Sequence, residues 1–88
     1  MHTHSMNLEQ LRAAVSAGGV AGITLRARGD NFYVEIATQS GQDAMLARVR
    51  GPEPRCFVNP RSGLGMLREA GVVRVTVDIS QWEPLPKK

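Results

Sequence analysis

The sequence predicts an α+β fold: one small domain in the order α-β-β-β-α-β, mainly antiparallel, with both helices on one face of the sheet. Three observations lead to this prediction. Two segments with apolar residues at helical spacing begin at capping residues, Asn7 and Asn59. Four segments alternate between apolar and polar residues, as strands with one buried face do. The 88 residues suit a single thin core.

The first predicted helix starts at Asn7, with Gln10 three residues later to complete a capping box. It ends at Gly18. Its buried stripe is formed by apolar residues at helical spacing, namely Leu8, Leu11, Ala14 and Val15. These features predict an amphipathic helix that packs on the sheet.

The second predicted helix starts at Asn59, with Pro60 in its first turn, and ends at Gly71. Gly63 and Gly65 each cost such a helix about 1 kcal/mol relative to alanine. Close approach of the helix to the sheet would explain them, and so would fraying of this end. The predicted buried stripe consists of Leu64, Leu67 and Ala70.

The first two strands are predicted at residues 22–29 and 32–36 and form a hairpin. The turn Gly29-Asp30-Asn31 has the residue types that hairpin turns favour. The core face carries the apolar members of both alternations, namely Ile23, Leu25, Ala27, Phe32, Val34 and Ile36. The other face is polar.

The third strand is predicted at about residues 44–50. Its core face is assigned to Met45, Ala47 and Val49. Its opposite face is assigned to Leu46, Arg48 and Arg50. We also expect this strand to lie at an edge of the sheet. Because an open edge can pair with a strand of another chain, a homodimer through this edge is one prediction.

The last strand shows the clearest alternation. Its inward residues are predicted to be Val73, Val75, Val77 and Ile79, alternating with Arg74, Thr76 and Asp78. Because a helix precedes it, this strand is expected to run parallel to a neighbour, the first strand. Trp82 follows and is predicted to fold back over an edge of the core.

Outside this domain, assigned to residues 6–83, the ends are interpreted separately. Residues 1–5 look like a leader, or Met6 is an alternative start, because Met6 is a second methionine directly before a helix signal. The two histidines of that leader are therefore excluded from candidate chemistry. Residues 84–88 are predicted to be a flexible tail.

The formal net charge of +3 indicates only a weak preference for acidic partners, because Lys87 and Lys88 supply two of the charges. Between Met6 and Pro86 the chain has nine arginines and eight acidic residues, so the charges nearly balance. The preference for arginine is more informative, since the guanidinium group pairs with carboxylate or phosphate and stacks on aromatic rings. A genome rich in G and C would explain the same preference.

The candidate contact surface is the polar face of the sheet, where arginines surround one tyrosine. Its residues are Arg26, Arg28, Tyr33, Arg48, Arg50 and Arg74. Such a face resembles a platform for single-stranded nucleic acid. The alternative is that Glu35 and Asp78 pair with arginines on neighbouring strands. The sequence is consistent with both interpretations.

Catalysis finds little support in the sequence. The domain has no histidine, and its acidic residues are spread over all the elements. Cys56 is the only cysteine, and Phe57 and Val58 beside it favour a buried thiol. We therefore predict no enzyme activity, no metal, no cofactor and no disulfide. No apolar run approaches the roughly 20 residues that cross a membrane, and we expect a cytoplasmic protein.

The pattern of the whole domain resembles one known family, the small ParC-type partition-associated proteins of plasmids and integrating conjugative elements. The residues that carry the resemblance are Leu25-Arg26, Gly29, Phe32-Tyr33-Val34-Glu35, Arg55-Cys56-Phe57, Asn59-Pro60, Leu64, Leu67-Arg68, Gly71, the valine-rich strand and Trp82. The resemblance implies a bacterial accessory role in plasmid partition or maintenance and supplies no catalytic residues. We expect action through an unknown protein partner, with direct nucleic-acid binding as the alternative.

Overall fold

The computed structural model describes residues 4–48 and 53–83. Its elements are β1 (His4–Met6), α1 (Leu8–Ser16), β2 (Val20–Arg28), β3 (Asn31–Thr38), β4 (Asp43–Leu46), β5 (Cys56–Phe57), α2 (Pro60–Glu69) and β6 (Thr76–Asp78). The sheet order is β1-β4-β3-β2-β6, and β5 also pairs with β3. Two helices and a mostly antiparallel sheet confirm the predicted α+β class. The predicted tail, together with Val49 and Arg50, lies outside the described residues.

Both helices start where local chemistry predicts. The Asn7 backbone N–H donates to Gln10 Oε1 at 2.9 Å, and the Gln10 N–H donates to Asn7 Oδ1 at 2.8 Å. This pair of hydrogen bonds is the predicted capping box. At α2, Asn59 Oδ1 accepts from the Arg61 N–H at 2.9 Å, and Pro60 is the first helical residue. Both predicted N-caps are confirmed.

The end of α2 is a Schellman turn. Gly71 has a φ of +98°, which is strained for residues with a side chain. The Val72 N–H donates to the Leu67 carbonyl at 3.0 Å, and the Gly71 N–H donates to the Arg68 carbonyl at 3.1 Å. The glycine that ends the pattern of the helix in the sequence therefore also ends the helix in the structure.

The hairpin and the parallel return strand are confirmed. β2 and β3 pair antiparallel from Val20 opposite Thr38 to Arg28 opposite Asn31. β6 lies on the other side of β2 and runs parallel to it, as the crossover through α2 predicts. Trp82 folds back as expected, with its ring 5.8 Å from that of Phe32.

A single core lies between the sheet and the two helices. Leu11 of α1 and Leu67 of α2 are completely buried in it. They pack with apolar side chains from one face of the sheet, namely Ile23, Leu25, Ala27, Phe32, Val34 and Ile36. Both helices therefore cover the same face, and no described helix covers the other face of the sheet.

One residue of the predicted α2 stripe is misplaced. Leu67 and Ala70 are buried, but Leu64 is exposed, and Gly63 takes its place against the sheet. A Cβ on Gly63 would lie 3.4 Å from Leu25 and from Phe57. Close approach of the helix backbone is thus the reason for this glycine, and the prediction that Leu64 is buried is wrong.

The predicted faces of the third strand are wrong at Met45 and Leu46, whereas the predicted burial of Ala47 and exposure of Arg48 are confirmed. Leu46 is buried and Met45 is partly exposed, the reverse of the prediction. The register explains the reversal, because Ala44 lies opposite Ile36, whose side chain is in the core. β4 ends at Leu46, so the buried Ala47 follows the strand.

β4 is not an edge of the sheet, contrary to the prediction. β1 pairs with it in parallel, from His4 opposite Ala44 to Met6 opposite Leu46. Two of the three residues of β1 belong to the segment interpreted as a leader, and that interpretation stays a prediction. Within the described residues the outer strands of the sheet are β1 and β6.

The last predicted strand is shorter and less buried than its pattern indicates. The ladder covers only Thr76–Asp78. Val75 packs against the core, whereas Val73, Val77 and Ile79 are exposed, so their predicted burial is wrong. The reason is position, because a strand at the margin of the sheet is covered on fewer sides than a central one.

Gly65→Ala is expected to raise the free energy of unfolding by about 0.5–1 kcal/mol, since alanine restricts the unfolded chain and favours the helix. Gly65 is exposed in α2, and a Cβ there would meet nothing within 4 Å. Gly71→Ala is the matched control and should lower stability, because its φ is positive and its Cβ would lie 3.2 Å from Val15. Urea denaturation monitored by Trp82 fluorescence measures both, and stabilisation by Gly71→Ala would contradict the described helix end.

Candidate interaction surface

The candidate surface is the face of the sheet that the helices leave uncovered, here called the open face. Strand parity and register assign to it Thr24, Arg26 and Arg28 of β2, Tyr33, Glu35 and Ala37 of β3, Asp43 and Met45 of β4, Cys56 of β5, and Thr76 and Asp78 of β6. Their neighbours along the central strands, such as Leu25 and Val34, are fully buried on the other side. Alternation along β2 and β3 thus positions Arg26, Arg28 and Tyr33 on the open face, as predicted.

Arg26 lies at the centre of the open face and joins three strands. Its Nε donates to Glu35 Oε2 at 2.6 Å, and its Nη1 donates to Asp78 Oδ2 at 2.6 Å. All three side chains are about 30% exposed, at 31%, 29% and 31%. The alternative interpretation, in which Glu35 and Asp78 pair with an arginine across neighbouring strands, is confirmed.

These contacts shift the ionisation of the central groups. The pKa of Arg26 is raised above its ordinary value, first by the hydrogen bond and charge of Glu35 and then by Asp78. The pKa of Asp78 is lowered, first by hydrogen bonds from the Ser80 backbone and hydroxyl and then by Arg26. With one guanidinium between two carboxylates, the centre of the open face is not cationic.

The remaining predicted arginines are dispersed. Arg28 and Arg74 are exposed, and neither forms an ion pair within the described residues. Arg74 precedes β6 at the end where Thr76 lies opposite Thr24, so it and Arg28 flank opposite ends of β2. Six residues of strand separate these ends, or roughly 20 Å. Arg48 is exposed beyond the end of β4, and Arg50 lies outside the described residues.

A groove of about 560 Å³ crosses the open face on the side of β3 and β4. Its lining residues come from β2, β3, β4 and the segment before β5, namely Arg28, Tyr33, Glu35, Asp43, Ala44, Met45 and Pro54. Four of them (Asp43, Ala44, Met45 and Pro54) were not among the residues singled out from the sequence. Met45 was missed because the predicted parity of its strand was inverted.

The groove is polarised along its length. Arg28 lies at the end where β2 meets the first residue of β3, Asn31. Asp43 lies opposite Ala37, six residues further along β3, or roughly 20 Å away. Tyr33 and Met45 line the groove between them and provide an aromatic ring and a flexible thioether. One end is cationic and the other anionic, and Glu35, whose carboxylate is paired with Arg26, lies between them beside Tyr33 and Met45.

Cys56 is exposed, which corrects the prediction that it is buried. In the β3–β5 pairing, Cys56 lies opposite Tyr33 and Phe57 lies opposite Phe32. Phe57 therefore enters the core and Cys56 faces the other way, onto the open face beside the groove. The apolar neighbours in the sequence were a poor guide, because in a strand they point to the opposite face.

In the described ranges, no three His, Cys, Asp or Glu residues cluster as a metal site would require. No described helix has the length and apolar character needed to cross a membrane. The surface that stands out is the polarised groove beside the neutralised Arg26. No protein-family model matches the chain, and no curated protein or solved structure shows significant similarity to it.

Proposed function

We propose that this domain is a non-catalytic accessory module that binds a protein partner through an extended segment laid in the groove along β3. The observation that carries the proposal is the polarised groove itself, with Arg28 at one end, Asp43 at the other and Tyr33 and Met45 between them. An extended segment of about six residues would span the roughly 20 Å of β3 between the positions opposite Arg28 and Asp43. Opposite charges at its two ends would fix its direction.

The ion pairs of Arg26 favour a protein over a nucleic acid as the partner. A nucleic-acid platform needs a cationic track with stacked aromatic rings. Here the central arginine is engaged by Glu35 and Asp78, and the open face carries one aromatic ring, Tyr33. A phosphate backbone passing this centre would meet two carboxylates.

The biological setting rests on the resemblance to ParC-type partition-associated proteins. On that basis the module serves the maintenance or partition of a mobile element in the bacterial cytoplasm. Its role there is to hold a protein component of the complex, which itself contacts DNA.

Photo-cross-linking from the groove tests the proposal. Tyr33→p-benzoylphenylalanine, expressed in the cell that carries the gene, should cross-link to a protein and give a band that resists nuclease. Arg28→Ala in the same background should weaken the band, because it removes the cationic end of the groove. The matched control places the same cross-linker at the exposed Glu9 of α1, on the covered side of the sheet.

Two outcomes would count against the groove. A Tyr33 cross-link that nuclease removes would favour direct nucleic-acid binding, as would retention of a labelled oligonucleotide that falls steeply with salt. In that case Arg28→Ala, Arg48→Ala and Arg74→Ala together should reduce the salt slope. Equal cross-linking from Tyr33 and Glu9 would show that the groove does not select the partner.

A further inference from the structure

Among the described residues, the β6 side of the sheet has an unpaired edge. β6 pairs with β2 on one side, and no strand lies on its other side in the described part of the chain. Its outward backbone N–H and C=O groups are therefore available to another strand. Edge strands are commonly protected by proline or by inward-pointing charges, and residues 73–79 contain neither.

The same edge exposes apolar side chains. Val73, Val77 and Ile79 are 74%, 50% and 52% exposed, although the alternation assigns them to the face that packs on the core. Val75, of the same parity, is partly buried against that core. The apolar stripe thus continues beyond the cover that the helices provide, and a neighbouring strand would extend that cover.

The sequence of the edge is self-complementary. Residues 73–79 read Val-Arg-Val-Thr-Val-Asp-Ile, apolar at every odd position, with a cation and an anion placed symmetrically about Thr76. When two copies pair antiparallel about Thr76, Arg74 lies opposite the second copy's Asp78. On the apolar face, Val75 then lies opposite the second copy's Val77, and Val73 opposite its Ile79.

We propose that β6 is a homodimer interface, in which two copies of this chain pair antiparallel about Thr76 and join their sheets into one. The interface obeys two-fold symmetry, so each Arg74–Asp78 pair occurs twice. This inference does not depend on the groove, which lies on the side of β3 and β4, away from the β6 edge.

Charge complementarity selects this register over its neighbours. A two-fold about Val75 would place Arg74 opposite Thr76, and one about Val77 would place it opposite Ser80, so neither pairs opposite charges. Cross-strand pairs of opposite charge stabilise a sheet, whereas like charges directly opposite destabilise it. A parallel arrangement in register would place Arg74 opposite Arg74.

The Asp78 carboxylate has capacity for the additional donor. Its Oδ2 accepts from Arg26 at 2.6 Å, and its Oδ1 accepts from Ser80. A carboxylate has about four acceptor sites, so the second copy's Arg74 joins the existing pair without displacing it. The dimer would then link Arg74 of one copy to Arg26 of the other through Asp78.

Sedimentation equilibrium of the full chain, from low micromolar to submillimolar concentration, tests the association. The wild type should dimerise. Arg74→Glu should weaken the dimer by at least about tenfold, because it places a carboxylate opposite the second copy's Asp78 at two symmetric positions. Arg61→Glu makes the same charge change on α2 and should leave the association unchanged. Far-UV circular dichroism checks that each variant is folded.

A second variant tests the register without changing charge. In a Cys56→Ser background, Thr76→Cys places the thiols of the two copies opposite each other. Mild oxidation should therefore link this variant into a disulfide-bonded dimer faster than it links Ser16→Cys, whose position is exposed on α1. A monomeric wild type overturns the proposal. So does an Arg74→Glu dimer as tight as wild type, or Thr76→Cys that links no faster than Ser16→Cys.

Discussion

Leu67→Ala is expected to lower the free energy of unfolding by about 2–5 kcal/mol, whereas Leu64→Ala lowers it by less than about 1 kcal/mol. Leu67 is completely buried between α2 and the sheet, while Leu64 is 41% exposed on the same helix. Truncation at Leu67 leaves a cavity that close-packed neighbours fill only partly. Because small domains have only about 5–15 kcal/mol of stability, the loss should be a large fraction of the total.

The pair is internally matched, because both substitutions change leucine to alanine within α2 and alter helix propensity equally. Urea denaturation monitored by Trp82 fluorescence measures both, and far-UV circular dichroism reports whether Leu67→Ala still folds. Equal losses at the two positions would mean that α2 packs through the face that contains Leu64. The burial of Gly63 against Leu25 and Phe57 would then also be incorrect.

Helix ends were predictable from sequence because their determinants are local. The Asn7–Gln10 capping box, the Asn59-Pro60 start and the Gly71 end all depend on residues within one turn of each other. No knowledge of the rest of the fold is needed to place them. The prediction that Leu64 is buried was wrong because the helix contacts the sheet through its backbone at Gly63. A glycine has no apolar side chain, so this contact leaves no trace in the hydrophobic pattern of the sequence.

Alternate residues along a strand share one face of the sheet. The buried face was predictable only where one of the two alternating sets, or phases, is polar. β2 and β3 meet this condition, and their faces were assigned correctly. In β4 both phases contain apolar residues, since Met45 and Leu46 are adjacent. The register with β3 decides between the phases, and that register depends on pairing that sequence periodicity does not contain.

The candidate site was predictable in its residues and less so in its arrangement. Arg26, Arg28 and Tyr33 were placed on the open face by alternation alone. The bond from Arg26 to Asp78 joins residues 52 positions apart and depends on the parallel pairing of β6 with β2. The groove depends in addition on Met45 and Pro54, whose positions follow from the register of β4 and the path into β5.

Arg26→Met is expected to destabilise the fold at pH 7 far more than Arg28→Met does. Both residues lie on the same face of β2, and methionine retains part of the aliphatic stem. At Arg26 the substitution leaves the carboxylates of Glu35 and Asp78 without their shared cation. At Arg28 no ion pair within the described residues is lost, so the change should stay within about 0.5 kcal/mol.

The pH dependence gives this prediction a direction. The pKa of Asp78 is lowered in the folded state, by Ser80 first and by Arg26 to a smaller degree. The ionised carboxylate therefore stabilises the fold above its ordinary pKa of 3.8, and this contribution is lost as the pH falls through the lowered folded value. Removing Arg26 removes part of that contribution and leaves the part due to Ser80.

The difference in stability between wild type and Arg26→Met should thus be largest near neutral pH and should shrink as the pH falls below 3.8 and through the lowered folded pKa of Asp78. Urea midpoints of the wild type and both variants, taken from pH 7 to pH 3, measure it. A difference that stayed constant over this range would show that Arg26 contributes through the packing of its stem. The open face would then lack the neutralised centre that favours a protein partner over nucleic acid.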